Sequence, residues 1–213
     1  MNNIIMGLYG LETLKDANDY ISNAISKLPY NMDDFIHSSS DGQKLETQIH
    51  KLQSRHSSKY FGMNKGITSY TMVANHIPIQ ARIIGANEHE SHYVFDILYN
   101  NTTDIKPNIH FTDTHGTNEV NFAILDLFGY RFAPRYKDTQ ATISRNLYSS
   151  QHSNQYEELL IKPLRKINKE LIIKKWDNIK RIMFSLALKT TTQNIIVRKL
   201  SSYAQKNKTK RAL

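Results

Sequence analysis

The chain has no cysteine among its 213 residues. That excludes a disulfide framework, thiolate-held zinc and cysteine nucleophiles, and it suits a reducing cytoplasm. No apolar run approaches the ~20 residues that span a bilayer. The N-terminal Met1-Asn2-Asn3-Ile4-Ile5-Met6 has no basic stretch ahead of its short apolar one, so neither a membrane segment nor a secretory signal is expected. Gly-x-x-x-x-Gly-Lys is missing, so ATP use is not indicated, and without Gly-x-Ser-x-Gly the run Ser38-Ser39-Ser40 is no nucleophile elbow. There is no internal repeat and no low-complexity tract.

Acidic residues are scarce in one place. Residues 162–213 hold 15 of the 28 Lys and Arg but only Glu170 and Asp177 of the 19 acids, a net of +13, whereas the rest of the chain is at −4. A block of this kind suits a polyanion, with nucleic acid the leading partner. A solvated helical face that binds nothing is the other reading.

What is present suffices for a folded core: 39% of residues are hydrophobic, 10% aromatic and 22% charged, in a length that suits one domain or one and a piece. Leu14, Ala17, Ile21, Ala24, Ile25 and Leu28 share one helical stripe that Pro29 stops. A strand is expected over 35–42, closed by an Asp41-Gly42 turn, and two more over 67–74 and 79–84 across Asn75-His76-Ile77-Pro78. Residues 43–66 show no clear period. Tyr93, Val94, Ile97 and Leu98 predict a helix over 88–99. After the strand Ile109–Asp113, Thr117 is expected to cap a helix carrying Val120, Ala123, Ile124, Leu127 and Phe128, with Gly129 in the left-handed closing position. Residues 131–136 give a last strand. From about 153 the chain reads as basic helices, with Pro163 at a first turn or a break, Trp176 and Met183 on the apolar stripe, a Thr190–Thr192 link, and a final helix over 194–206. The order β-β-β-α-β-α-β implies an α/β fold with a mixed sheet flanked by helices. The divisions expected are a helical lead-in (1–34), a core (35–150) and a basic helical segment (151–213).

Asp41 and Asp113 sit 72 residues apart at the ends of the first and fourth of these strands. If those strands are neighbours, their carboxylates converge, and an oxygen-only pair without cysteine or an obligatory histidine suits Mg²⁺. Each aspartate also reads as an ordinary turn or cap residue. Glu88-His89-Glu90-Ser91-His92 lacks the zinc-protease spacing, and a solvated or capping cluster fits it better than a metal hydrolase site.

Three segments carry a more specific signal. Ser38-Ser39-Ser40-Asp41-Gly42-Gln43, Thr112-Asp113-Thr114-His115-Gly116 and Phe132-Ala133-Pro134-Arg135 resemble the catalytic motifs of the TnpA-type replicative transposases, the family of transposon Tn-three. Glu12-Thr13-Leu14-Lys15, Tyr60-Phe61-Gly62 and Gly66-Ile67-Thr68 fit the same pattern in order. The resemblance implies a ribonuclease-H-like DDE domain that cuts and joins DNA strands with Mg²⁺, for which Mn²⁺ can substitute. It implies DNA as the partner, with a homodimer compatible, in a nucleoid-associated cytoplasmic protein. Asp41 and Asp113 match the first two acids of the set and would be the catalytic metal ligands. His115 and Arg135 fall near the site, Arg135 either on a phosphate or paired with a carboxylate such as Asp138. Lys174, Lys175, Lys180, Arg181, Arg198 and Lys199 are the DNA-contact candidates.

One departure stands out. The family's third acid is a glutamate after a long helical insertion, and Leu213 comes first, so no third acidic ligand is expected in this chain. Glu157 and Glu158 read instead as residues that open a helix. The expectation is a truncated catalytic fragment, inactive alone, or a non-catalytic DNA-binding remnant.

Overall fold

A computed structural model describes residues 10–28, 36–49, 52–150, 156, 158–202 and 208–213. Helix α1 (Leu11–Ser26) forms where the stripe predicted a helix but packs on a different face: Leu14, Ala17, Ile21, Ala24 and Leu28 are exposed, whereas Ser22 and Ser26 are buried and Ser22 Oγ donates to the Pro78 carbonyl. The sheet strands are β1 (His37–Glu46), β2 (Arg55–His56), β3 (Lys65–Ala74), β4 (Ile77–Gly85), β5 (Ile109–Thr112) and β6 (Arg131–Phe132), with the short helix α2 (Ser58–Phe61) between β2 and β3. Across the sheet the order is β2-β3-β1-β5-β6, with β4 also on β3. β1 is antiparallel to β3 and parallel to β5, and β5 is parallel to β6. The sheet is therefore mixed, as expected. Asn75 and His76 turn β3 into β4 with positive φ at both residues (43° and 70°), the handedness a tight hairpin requires.

Several boundaries differ from the sequence expectation. Asp41-Gly42 is not a turn: β1 continues to Glu46 because its pairing with β3 persists from Asp41↔Thr71 to Glu46↔Gly66. The polar run Gln43-Lys44 hides that extension because it borders an open cavity. Residues 88–99 are not one helix. They form a 3₁₀ turn at Glu90–His92 and then α3 (Val94–Tyr99). The Phe95 amide donates to Gln193 Oε1, and Gln193 Nε2 donates to the Ser91 carbonyl. A side-chain amide thus occupies the place of the helical bond between those two residues. A second 3₁₀ turn (Thr114–Gly116) leads to α4 (Glu119–Leu127), whose cap is Asn118, accepting from the Val120 amide, rather than Thr117. Gly129 has the left-handed φ expected of it, 81°.

The segment after 153 is not uniformly helical. α5 (Thr139–Asn146) precedes a two-stranded parallel pairing of β7 (Tyr148–Ser149) with β8 (Arg165–Lys166). Pro163 lies in irregular chain before β8, in keeping with a residue that has no amide hydrogen to give a helix. Glu158 stands in a turn, and Glu157 lies outside the described residues. The first long basic helix, α6 (Lys169–Ala187), starts only where Asn168 accepts from the Leu171 amide. Trp176 is 45% exposed, not core. Thr190–Thr192 leads into α7 (Gln193–Ser202), and α8 (Lys208–Ala212) follows. Residues 203–206 of the expected final helix lie outside the described residues.

The core joins β3 and β4 (Tyr70, Met72, Ile79) to α3 and α4 (Phe95, Ile97, Ile124) and also takes in Leu186, Ile196, Val197 and Leu200 from α6 and α7. Two buried polar groups organise it. Gln193, fully buried, also bonds Asn121 Oδ1, and its own amide donates to Asp96 Oδ1. Asn121 Nδ2 in turn donates to the carbonyls of Ser91 and Gly116. On the sheet, His110 bridges β5 to β1, with Nδ1 2.8 Å from Ser38 Oγ and Nε2 2.9 Å from Ser40 Oγ. The neutral ring donates to one serine and accepts from the other. Burial drives its pKa down to about 3 from 6.5.

Gln193→Leu should cost about 2 kcal/mol or more, because it strands the Phe95 amide and the Asn121 carboxamide in the core. Urea denaturation that leaves the midpoint at the wild-type value would refute this. For His110 the depressed pKa means that the unfolded chain takes up the proton first. Its contribution is complete above pH 6.5 and is lost as pH falls towards about 3. The stability gap between wild type and His110→Gln should therefore narrow by roughly 1.4 kcal/mol for each pH unit in that window. A gap independent of pH would exclude a neutral buried imidazole.

Candidate metal and phosphodiester site

At the carboxyl end of β5 the chain leaves the sheet through Asp113, whose Oδ1 accepts from the His115 and Gly116 amides. This is the cap role open to it from sequence, and it fixes the side chain at the strand end. Asp41 lies within neighbouring β1, its Oδ1 accepting from the Gly42 amide. The third carboxylate comes from the 3₁₀ turn Glu90–His92. One oxygen from each of Asp41, Glu90 and Asp113 lies within 4.8 Å of the others. Among the described residues this is the one group of three acids or histidines so gathered; Glu88, His89 and His92 do not form another.

The approach of Glu90 depends on Gly42. A Cβ there would stand 2.2 Å from Glu90 Oε1, so any larger residue would displace the carboxylate. Glu90 is 92% buried in effect, with 8% of its surface exposed, while Asp41 and Asp113 are exposed. Burial raises the pKa of Glu90; Lys44 opposes that shift, and the charges of Asp41 and Asp113 add to it. Lys44 Nζ stands 4.0 Å from Glu90 Oε1 and donates to Thr68 Oγ1 and the Ala86 carbonyl. The three carboxylates open into a cavity of about 1070 Å³ that Lys44, Tyr60 and His115 also line. His115 lies 6.4 Å ring to ring from His89, whose pKa is lowered by burial first, then by His115 and Lys44.

The structure thus brings Asp41, Asp113 and His115 into one cavity. Arg135 is exposed and is not among the residues that line the cavity. Its amide donates to the Thr112 carbonyl, and its carbonyl accepts from Thr114 Oγ1. Among the described residues it makes no ion pair with Asp138, which instead caps α5 through the Ala141 amide. Lys174, Lys175, Lys180 and Arg181 lie on α6, and Arg198 and Lys199 on α7; none lines the acidic cavity. Lys180 pairs with Asp177 at 2.9 Å. Sequence reasoning missed Glu90. Its neighbours in the chain gave no metal spacing, and the only local signal was an acid followed by the apolar run of α3.

Comparison with known proteins identifies the family. The chain matches the family model described as the Tn3 transposase DDE domain over residues 4–213. It is 32% identical over 202 residues to the transposase for transposon Tn3926 of Escherichia coli, covering 92% of this chain and 20% of that protein. Against the transposase for transposon Tn501 of Pseudomonas aeruginosa the identity is 32% over 173 residues, covering 80% and 17%. Against that for transposon Tn1546 of Enterococcus faecium it is 28% over 188 residues, covering 88% and 19%. The chain spans about a fifth of the length of these curated relatives. No solved structure matches it significantly, and no described helix is long and apolar enough to cross a membrane. On the family match and these identities, the chain belongs to the Tn3 transposase DDE domain family.

Proposed function

We propose that this chain carries the catalytic centre for divalent-metal-dependent cleavage and transfer of DNA strands in replicative transposition. The observation that carries this reading is the gathering of oxygens from Asp41, Glu90 and Asp113 within 4.8 Å in a chain of the DDE family. The donor set is all oxygen, which fits Mg²⁺ or Mn²⁺, and the bare Cα of Gly42 leaves room for the buried donor. Asp41 and Asp113 are the principal ligands in this reading, and Glu90 is the third. When bound, the ion would polarise a phosphodiester oxygen and favour ionisation of the attacking hydroxyl.

The chain's own groups prepare that site. The two exposed aspartates are open to substrate, whereas Glu90 is largely buried and reaches the cavity from its wall. Arg135, whose backbone is bonded to Thr112 and Thr114 beside the Asp113 turn, would contact a flanking phosphate, and His115 lines the cavity. The antiparallel β4, β3 and β1 followed by parallel β5 and β6 support a ribonuclease-H-like reading of the sheet. Residues 35–150 then carry the chemistry, and the basic segment 151–213 supplies DNA contacts from Lys174, Lys175, Lys180, Arg181, Arg198 and Lys199. In this reading Glu90 is a third metal ligand but not the glutamate of the family's motif, so the chain tested alone is expected to bind cation and DNA while cleaving slowly or not at all.

Calorimetric titration of Mn²⁺ should show one site in the wild type, weakened at least about tenfold in Asp41→Asn, Asp113→Asn and Glu90→Gln, since even outer-shell changes cost that much. A single variant with unchanged affinity would remove that residue from the site. No Mn²⁺ binding alongside intact DNA binding would favour a non-catalytic remnant. For the DNA surface, the combined Lys174→Gln and Arg181→Gln change should flatten the plot of log affinity against log salt on duplex DNA by about 1.8, two phosphate contacts' worth. An unchanged slope would place the DNA elsewhere.

A further inference from the structure

The wall of the acidic cavity opposite the strand ends is built by α2 and its approach, and nothing in the metal chemistry uses it. His56, Ser57, Ser58, Lys59 and Tyr60 line it. Tyr60 is 46% exposed, and its ring is flanked by two ammonium groups, Lys44 Nζ at 4.7 Å and Lys59 Nζ at 5.0 Å from the centroid. The two lysines differ in freedom. Lys44 is held on the cavity floor by Thr68 Oγ1 and the Ala86 carbonyl, and its side chain is only 16% exposed. Lys59 is exposed and adjacent in sequence to Tyr60, with a flexible stem that can leave the ring for a nearby anion.

We infer that Tyr60, with Lys44 and Lys59, seats the DNA strand next to the phosphate held at the carboxylates. A nucleobase stacks on the Tyr60 ring, and the two ammonium groups meet the adjoining backbone phosphates. This rests on the proposed function and extends it to how the strand is held. An exposed aromatic ring with cations at its rim combines the two features that single strands are bound by, a stacking face and a positive track along the backbone. The apolar alternative, a core tyrosine, is ruled out by its exposure. A phenol serving only as a cap for Lys44 would not need the second, solvent-facing lysine. The seat is also selective: stacking needs an unpaired or frayed base, so the wall favours a strand end or distorted duplex over regular duplex DNA.

The test uses the full chain and a single-stranded oligonucleotide carrying the fluorescent base analogue aminopurine. Wild type should quench the analogue when it lies at one position along the bound strand. Tyr60→Phe should keep that quenching, whereas Tyr60→Leu should lose it and weaken binding about tenfold. Lys59→Gln should keep the quenching and flatten the salt slope on single strands by about 0.7. Equal quenching and affinity in Tyr60→Leu would overturn the seat. A melting curve of Tyr60→Leu, at a surface site, guards against misfolding, and Lys59→Gln tests the phosphate half independently: an unchanged slope would overturn it. Mn²⁺ calorimetry on wild type separates the two levels. Cation binding with no effect of Tyr60→Leu on DNA defeats the seat alone, and absence of both cation and DNA binding defeats the proposed function with it.

Discussion

The carboxamide of Gln193 sits in a gap of the hydrogen-bond ladder between Ser91 and Phe95, accepting from one and donating to the other. Much of the molecule depends on that substitution. An uninterrupted helix over the same residues would carry Glu90 on a regular helical face. The inserted amide instead lets the chain make a 3₁₀ turn first, and that turn presents Glu90 over Gly42. The same carboxamide meets Asn121, which holds the carbonyl of Gly116 in the turn that follows Asp113. Two of the three acids are therefore positioned from one buried polar hub. The hub belongs to α7, so a helix from the basic segment is a structural part of the acidic site.

Three carboxylates so close repel one another, and the fold tolerates this by unequal exposure. Asp41 and Asp113 remain in water, which screens their charge, while Glu90 is buried and meets its counter-charge at Lys44. The ammonium stands at 4.0 Å, beyond the length of a charge-assisted hydrogen bond. It offsets the charge without occupying the oxygen, which leaves Glu90 disposed towards a cation. On the sheet, burial keeps His110 neutral, so β5 adds no positive charge of its own.

The sheet is largely legible because β-branched and aromatic residues alternate along β3 and β4, whereas the pairing of β1 with β5 stands in the sequence only as a condition for the two aspartates to converge. Asp41 and Asp113 were legible through their motifs. The end of β1 was not: Gln43 and Lys44 border a cavity, and a strand that borders a cavity loses the apolar alternation that marks it. Glu90 was invisible for a different reason. Its placement depends on Gln193, a residue 103 positions away in the chain, and a helix broken by a distant side chain keeps the periodicity of an unbroken one. The irregular stretch before Asn168 was misread because Leu159, Leu160 and Leu164 mimic a helical stripe while being exposed.

The imidazole of His110 grips two alternate serines of β1 at once, and this has a bearing on assembly. Parallel strands β1 and β5 meet over only four paired residues, 72 positions apart in the chain, so closing them carries a loop-closure entropy cost. Four rungs alone discriminate weakly against a neighbouring alignment. A shift by one residue, however, would set the ring against Ser39 and either Asp41 or His37 in place of Ser38 and Ser40. The two-point grip thus favours the alignment that brings both aspartates to the cavity.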